Sequence, residues 1–264
     1  MNEVETHKIY EKVKEFGVTS VRNFLNTEQF KLADNALKNI SEKSIQKGDE
    51  RGYFPTNLKA NIIKIAKFEF KKIRKAFVLK KIAQDLQLEK ITEKIFNHKV
   101  ELNMIDSYYS KRSDKNILDW HNDINYRHID ATSIKFFIYM TDVESENGSL
   151  AYVPYSHHVV RAVTSLMLEK KIEHTHYWKL EDLRALVLKS PVKNLIIDKI
   201  GAERLSIFLN NSKFIEQNTK DTFKFDFEMN KGSAVIFDEL GVHRGSKVSK
   251  HGRLVLRYFY RRKI

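Results

Sequence analysis

Lys99-Val100-Glu101-Leu102-Asn103-Met104 is where this chain changes its pattern. Val100, Leu102 and Met104 alternate with polar residues, the period of a strand with one buried face, and the alternation leads into Tyr108-Tyr109. Ser133 to Met140 reads as the next strand and is followed by the turn-like Glu144-Ser145-Glu146-Asn147-Gly148. Leu150 to Val153 makes a short strand that stops at Pro154. Residues 159 to 188 return to helical composition, inside an insertion placed at about 159–200. Further strands are expected at 195–197, 205–209, 223–227, 234–237 and 254–260. Few crossover helices separate them, so antiparallel pairing follows.

Upstream of Lys99 the spacing is helical. Residues 17–25 read as a short strand ending in a turn, and Asn26-Thr27-Glu28-Gln29 offers a capped helix start. A second helical zone runs from Asn57 to Leu86, with Ile62, Ala66, Phe70, Ile73 and Phe77 along one face. Between Lys59 and Lys81 stand nine Lys or Arg against Glu69 alone. A core-backing helix with a solvated outer face is the favoured reading of that charge. Peripheral contact with an anionic membrane or an acidic carrier protein is the second. The expected architecture is one mainly β domain with helices (α+β): residues 1–98 mostly helical, residues 99–264 a strand-rich core with a helical insertion.

At 264 residues and 42% hydrophobic composition the chain can bury a sizeable core. It has no cysteine, which excludes disulfides and thiolate metal sites and leaves nitrogen and oxygen as the ligands available. The polar start Met-Asn-Glu-Val-Glu-Thr-His-Lys lacks the apolar core of a secretory signal, and no run approaches the roughly 18 apolar residues of a membrane span. A reducing cytoplasm is the default expectation. The formal charge of +13 comes mostly from lysines spread along the chain, so dedicated nucleic-acid binding is not expected. An anionic substrate or surface, or a merely solvated basic surface, fits the charge better.

The chemistry is carried by His121-Asn122-Asp123 and by His243 in Gly241-Val242-His243-Arg244-Gly245. In an extended segment His121 and Asp123 share a face. Two histidines and one carboxylate on one face of an octahedron leave three positions open, as non-heme Fe(II) oxygenases require. Arg253, within the apolar run Leu254-Val255-Leu256, has the setting of a buried receptor for a cosubstrate carboxylate. Zinc with one water is conceivable for the same ligands, but Arg253 gives the open positions a reason, a chelating oxoacid. No Gly-x-Ser-x-Gly elbow, Walker loop or Gly-x-Gly-x-x-Gly is present.

Taken in order, these segments resemble the phytanoyl-CoA dioxygenase family of Fe(II)- and 2-oxoglutarate-dependent oxygenases. The resemblance runs from about Gly17 to Tyr260. It rests on Val21 to Gln29, Trp120 to Asp123, Lys135 to Val143, Glu146-Asn147-Gly148-Ser149-Leu150 through Val153-Pro154-Tyr155-Ser156-His157, Gly232 to Phe237 and His243 to Arg253. Tyr155 stands where the family usually has glycine. The resemblance implies a double-stranded β-helix (jelly-roll, cupin-like) core flanked by helices. It implies that His121, Asp123 and His243 bind Fe(II) and that Arg253 binds the distal carboxylate of 2-oxoglutarate, with Arg257 on the same strand face as the alternate. Lys135, Tyr139 and Asn122 are further candidates for contact with the cosubstrate, and Tyr108, Tyr109, Tyr126 and Arg127 for contact with substrate. His157 reads as structural, and so do His128, His158 and His251.

The implied reaction is O₂-dependent hydroxylation of an unactivated C–H bond, with release of succinate and CO₂. The carboxylate ligand Asp123 disfavours the halogenating variants of the family. The rival readings are a non-oxidative metal-binding protein of the same fold and a binding module that has lost turnover. The substrate is left open: a small molecule or a carrier- or lipid-linked group, anionic or not. Residues 159 to 200 are expected to form a lid or substrate-facing insertion.

Overall fold

The computed structural model describes residues 3–47, 50–56, 70–113, 118–123, 132–218 and 223–263. In chain order the elements are α1 (Glu3–Phe16), β1 (Val18–Val21), α2 (Thr27–Lys47), β2 (Glu50–Phe54), α3 (Phe70–Asp85), α4 (Leu88–Phe96), β3 (Val100–Ser110), β4 (Leu118–His121) and β5 (Ser133–Tyr139). Then come β6 (Leu150–Tyr152), α5 (Ser156–Leu168), α6 (Leu180–Leu188), α7 (Ser190–Ile200), α8 (Ala202–Gln217), β7 (Asp226–Phe227), β8 (Ala234–Asp238), β9 (His243–Gly245) and β10 (Arg253–Arg262). The strands form a six-stranded sheet, β1-β8-β5-β10-β3-β2, and a four-stranded sheet, β4-β9-β6-β7. Every pairing between these strands is antiparallel.

Strand parity sorts the core. In β10, Leu254, Leu256, Tyr258 and Tyr260 pack with residues of α1 to α4. Val255 and Phe259 face the other way, toward Leu150 and Tyr152 of the second sheet. Arg253 and Arg257 share that inward parity. A third apolar cluster joins Ala151 and Val242 to α5 through α8. Helices therefore cover the outer face of each sheet, and the space between the sheets receives the polar side chains described below.

Local signals explain the joints. At α2 the Gln29 amide donates to Asn26 Oδ1 (2.8 Å) and the Asn26 amide to Gln29 Oε1 (3.1 Å), a reciprocal cap. At the start of α5, Tyr155 has φ +66°, the left-handed region that favours glycine. Its ring packs edge-on against Phe16 at 5.4 Å, which helps hold that conformation.

Two expected strands are helical. Residues 195–197 lie in α7 and 205–209 in α8, so helix, interrupted over 169–179, continues to Gln217 rather than ending near residue 200. Pro191 sits in the first turn of α7, where it leaves no hydrogen bond unmade. In α8 the buried Leu205, Phe208, Ser212 and Ile215 step by three, four and three. The short Leu-Ile-Ile run alone resembles a strand; its helical neighbours decide.

The expected face of the second helical zone also shifts. Ile62 and Ala66, and most of the basic stretch from Lys59, lie outside the described residues. In α3 the buried line is Ala76, Leu79, Ile82 and Ala83, with Leu86 just past its end, while Phe77 is 55% exposed. The segment carries two apolar lines, and packing on the sheet selects the second. Residues 223–227 form a turn of 3-10 helix and a two-residue strand. Among the described residues no helix is long and apolar enough to cross a membrane.

Candidate metal centre

His121 ends β4 and His243 begins β9, and the two are partners in register across that antiparallel pair. Direct cross-strand partners point to one face, and their rings lie 4.6 Å apart. Asp123, two residues past His121, closes the triangle. Its Oδ1 is 3.5 Å from His121 Nε2 and its Oδ2 is 3.4 Å from His243 Nε2. One ligand atom from each of the three lies within 4.8 Å of the other two.

The second nitrogen of each ring fixes the first. His121 Nδ1 is 2.6 Å from Asp119 O, and His243 Nδ1 is 2.9 Å from Gly241 O. A carbonyl only accepts, so Nδ1 carries the proton and Nε2 turns its lone pair inward. Burial pushes the His243 imidazole down, toward the neutral form a metal requires. Burial alone would raise the Asp123 carboxyl, but the Lys135 ammonium and the His121 and His243 rings together outweigh it and hold the carboxyl well below the usual carboxylate range. Ligand bonds of roughly 2.0–2.2 Å put neighbouring donors about 3 Å apart, so this donor set fits a divalent cation.

Lys135 comes from β5 and is buried. Its ammonium pairs with Asp123 and, at 3.3 Å, with Glu239. Burial would lower its pKa, yet the two carboxylates raise it, so it stays charged. Burial raises the Glu239 carboxyl against the pull of Lys135. The structure thus places Lys135 against a metal ligand rather than at the arginine end of the site.

Arg253 enters the same inter-sheet space and is 5% exposed. It donates from Nη1 to Gly148 O (3.0 Å) and from Nη2 to Ser110 Oγ (3.3 Å), with its guanidinium 5.8 Å from the Tyr108 ring centre. Gly148, at φ +83°, lies so close that a Cβ would stand 2.7 Å from Arg253 Cδ. This is the physical content of the Asn147-Gly148 turn. Tyr139, across from Val255, accepts the Leu150 amide at 3.1 Å, which leaves its own proton to donate. Burial pushes its phenol up to about 12, against the opposing charge of Arg253.

Other expectations resolve differently. The alternate, Arg257, is committed to Asp106 by two hydrogen bonds (Nε–Oδ1 2.7 Å, Nη2–Oδ2 2.5 Å), and that carboxylate is fully buried. The Asn122 amide donates to Tyr177 O at 3.1 Å, so its side chain faces the chain before α6 rather than the metal triangle. Tyr108 lies beneath both arginines, whereas Tyr109 packs against the helix-side core. Successive strand residues face opposite ways, which separates Tyr109 from the site. Tyr126, Arg127 and His128 lie outside the described residues. His157 and His158 reach Lys14 O and Glu15 O, and His251 reaches Asp142 O. Glu239, Asp106 and Trp178 were not foreseen. For Asp106 a signal existed, an acid at an inward-facing position of β3 in register with Arg257.

Over residues 13–255 the sequence matches the family described as phytanoyl-CoA dioxygenase (PhyH). The chain belongs to the phytanoyl-CoA dioxygenase family. No curated protein sequence matches it. Among solved structures, this PhyH-family chain is similar in fold to SnoN, a non-heme alpha ketoglutarate dependent epimerase from nogalamycin biosynthesis. The TM-score is 0.55 at 9% identity, over 99% of this chain and 82% of that one. HygX from Streptomyces hygroscopicus, crystallised with nickel and 2-oxoglutarate, gives 0.55 at 14% identity over 97% and 87%. AviO1 from Streptomyces viridochromogenes Tue57 gives 0.56 at 12% identity over 99% and 96%.

Proposed function

We propose that this PhyH-family chain is an Fe(II)- and 2-oxoglutarate-dependent oxygenase whose two facing sheets form a jelly-roll core. One observation carries the reading. A His-Asp-His triangle whose two histidines are buried, and a buried arginine, paired with neutral acceptors and flanked by a tyrosine, open onto the same inter-sheet space. SnoN has been crystallised with Fe3+ and alpha ketoglutarate, and HygX with iron or with nickel and 2-oxoglutarate, which supports the assignment.

His121, Asp123 and His243 would hold the metal, and Arg253 with Tyr139 the far carboxylate of the oxoacid. When bound, the metal and oxoacid would supply the oxidant for a substrate C–H bond, with O₂ and the oxoacid consumed and succinate and CO₂ released. The protein's own residues prepare this. The two Nδ1–carbonyl bonds aim the imidazoles, Lys135 holds one Asp123 oxygen, and Gly148 lets the Arg253 stem lie flat in reach of its anchors. Bidentate pairing of the guanidinium with a carboxylate then fixes the oxoacid's orientation.

SnoN is described as an epimerase, so we also consider inversion at a carbon as an outcome at this site. SnoN and HygX have been crystallised with nogalamycin RO and hygromycin B respectively, which supports a small-molecule substrate here. Aerobic incubation of a metabolite extract with enzyme, Fe(II) and 2-oxoglutarate tests the proposal. A product one oxygen heavier than its precursor, formed with succinate, is the result expected of hydroxylation. An isomer of unchanged mass would instead establish inversion. Wild-type turnover by Asp123→Ala would contradict the metal assignment.

A further inference from the structure

Trp178 stands beside the metal triangle with its indole 5.4 Å from the His121 ring, tilted by 42°. It is 39% exposed, and of the large apolar side chains exposed among the described residues it is the one that adjoins the metal ligands. Solvent-facing aromatics scattered singly need no explanation, but this one is held on both sides. The Asn122 amide N–H donates to Trp178 O and its side chain to Tyr177 O, each at 3.1 Å. Tyr177 is fully buried with its hydroxyl bonded to Thr164, and Lys179 bridges to the His121 backbone. An aromatic face exposed to solvent and fixed before any ligand arrives is a pre-organised contact.

Charge narrows what that face meets. At the metal end Asp123, Lys135 and Glu239 form one chain of ion pairs. Those two carboxylates, one ammonium, a divalent ion and the chelating carboxylate of the oxoacid sum to zero, and Arg253 balances the other carboxylate. That ion-paired cluster therefore contributes none of the chain's excess positive charge. A neutral substrate is left to be recognised by shape, by an apolar face and by hydrogen bonds. A saturated ring bearing hydroxyls offers an apolar face of C–H bonds, a polar edge and unactivated carbons to oxidise.

We propose that Trp178 is the substrate platform of this site, on which a neutral hydroxylated ring, a sugar or cyclitol ring, stacks with one C–H bond toward the metal. The inference rests on the oxygenase reading and deepens it.

Fluorescence tests it directly, because the chain has two tryptophans. The other, Trp120, packs edge-on to Phe225 with the Arg244 guanidinium over its ring. In the Trp120→Phe protein, loaded with Zn(II) and 2-oxoglutarate, Trp178 emission is followed during titration with methyl glucopyranoside, with myo-inositol and with the open-chain polyol sorbitol. A saturable change with a ring polyol but not with sorbitol is the expected result. Adding Trp178→Phe should weaken binding of that polyol, read by calorimetry, less than Trp178→Ala, which should weaken it by about tenfold. No saturable change, an equal change with sorbitol, or unaltered binding by Trp178→Ala would overturn the proposal and leave the indole a cover for His121. The visible band of the Fe(II) protein with 2-oxoglutarate is recorded in parallel. Its absence would sink the oxygenase reading, whereas its presence without a Trp178 response would sink only this one.

Discussion

Arg253 and Arg257 stand four residues apart on one face of β10, yet their surroundings assign them different work. Arg257 and the buried Asp106 satisfy each other, so removing one strands a charge away from water at a cost of about 3–5 kcal/mol. Urea denaturation of Arg257→Leu should show that loss, and Asp106→Leu combined with Arg257→Leu should recover most of it. Arg253 donates to neutral oxygens, so Arg253→Leu should lose no more than about 2 kcal/mol of stability. Its half-saturation by 2-oxoglutarate, measured by succinate release, should rise about 100-fold. Unchanged half-saturation would remove Arg253 from the site. The ligand triad was legible because its members sit in short motifs whose spacing states a geometry. The partner of Arg257 was not, since strand parity puts that side chain in the right space but says nothing of an aspartate 151 positions earlier. Parity could have separated Tyr108 from Tyr109.

The short segment Tyr177 to Lys179 is the element on which the site's edge depends, and Asn122 is its tie. Asn122→Ala should speed amide hydrogen exchange across residues 177–179 and leave Zn(II) affinity within about twofold, because the metal-facing atoms belong to other residues. Unchanged exchange would mean that Tyr177 alone fixes the segment. At the head of α5, Tyr155 keeps a left-handed backbone that costs a non-glycine residue about 1–2 kcal/mol. Thermal melts should therefore rank Tyr155→Gly above Tyr155→Ala, by about 1 kcal/mol, since both lose the Phe16 contact and only glycine relieves the backbone. The Val-Pro-Tyr-Ser-His stretch announced this turn in the sequence. Residues 195–197 and 205–209 misled because three to five apolar residues carry no period of their own; the helical spacing emerges only when Leu205, Phe208, Ser212 and Ile215 are read together.

At the scale of the whole molecule, pH and metal act through buried groups. Burial holds the His157 imidazole well below its ordinary 6.5, with neighbouring His158, Arg161 and Arg204 adding to the effect. His158 is lowered by the same cause. On unfolding both regain ordinary proton affinity, so the unfolded chain binds more protons below about pH 6.5 and stability falls as pH drops through that value. Urea midpoints of the metal-free protein should decline from pH 7.5 to pH 6. In His157→Gln the decline should be shallower, and equal slopes would contradict the neutral buried imidazole. A metal that binds only the folded chain stabilises it by about 2.7 kcal/mol at a hundred times its dissociation constant. The change at Lys99 from helical to strand period, the antiparallel pairing and the helices over the first sheet follow from patterning. The helices over the second sheet do so only in part, since residues 195–197 and 205–209 read as strands and residues 159–200 as a lid. The side chains that meet between the sheets follow from register, which patterning leaves open.

The central claim is that His121, Asp123 and His243 hold Fe(II) while Arg253 orients 2-oxoglutarate on it. The direct measurement is an anaerobic titration of the Fe(II)-loaded protein with 2-oxoglutarate, followed by visible absorption. A weak charge-transfer band that grows to saturation at one equivalent per chain, absent in His121→Ala and saturating only at far higher concentration in Arg253→Leu, is the predicted result. A wild-type protein that forms no band, or a His121→Ala protein that forms the same one, would contradict the account.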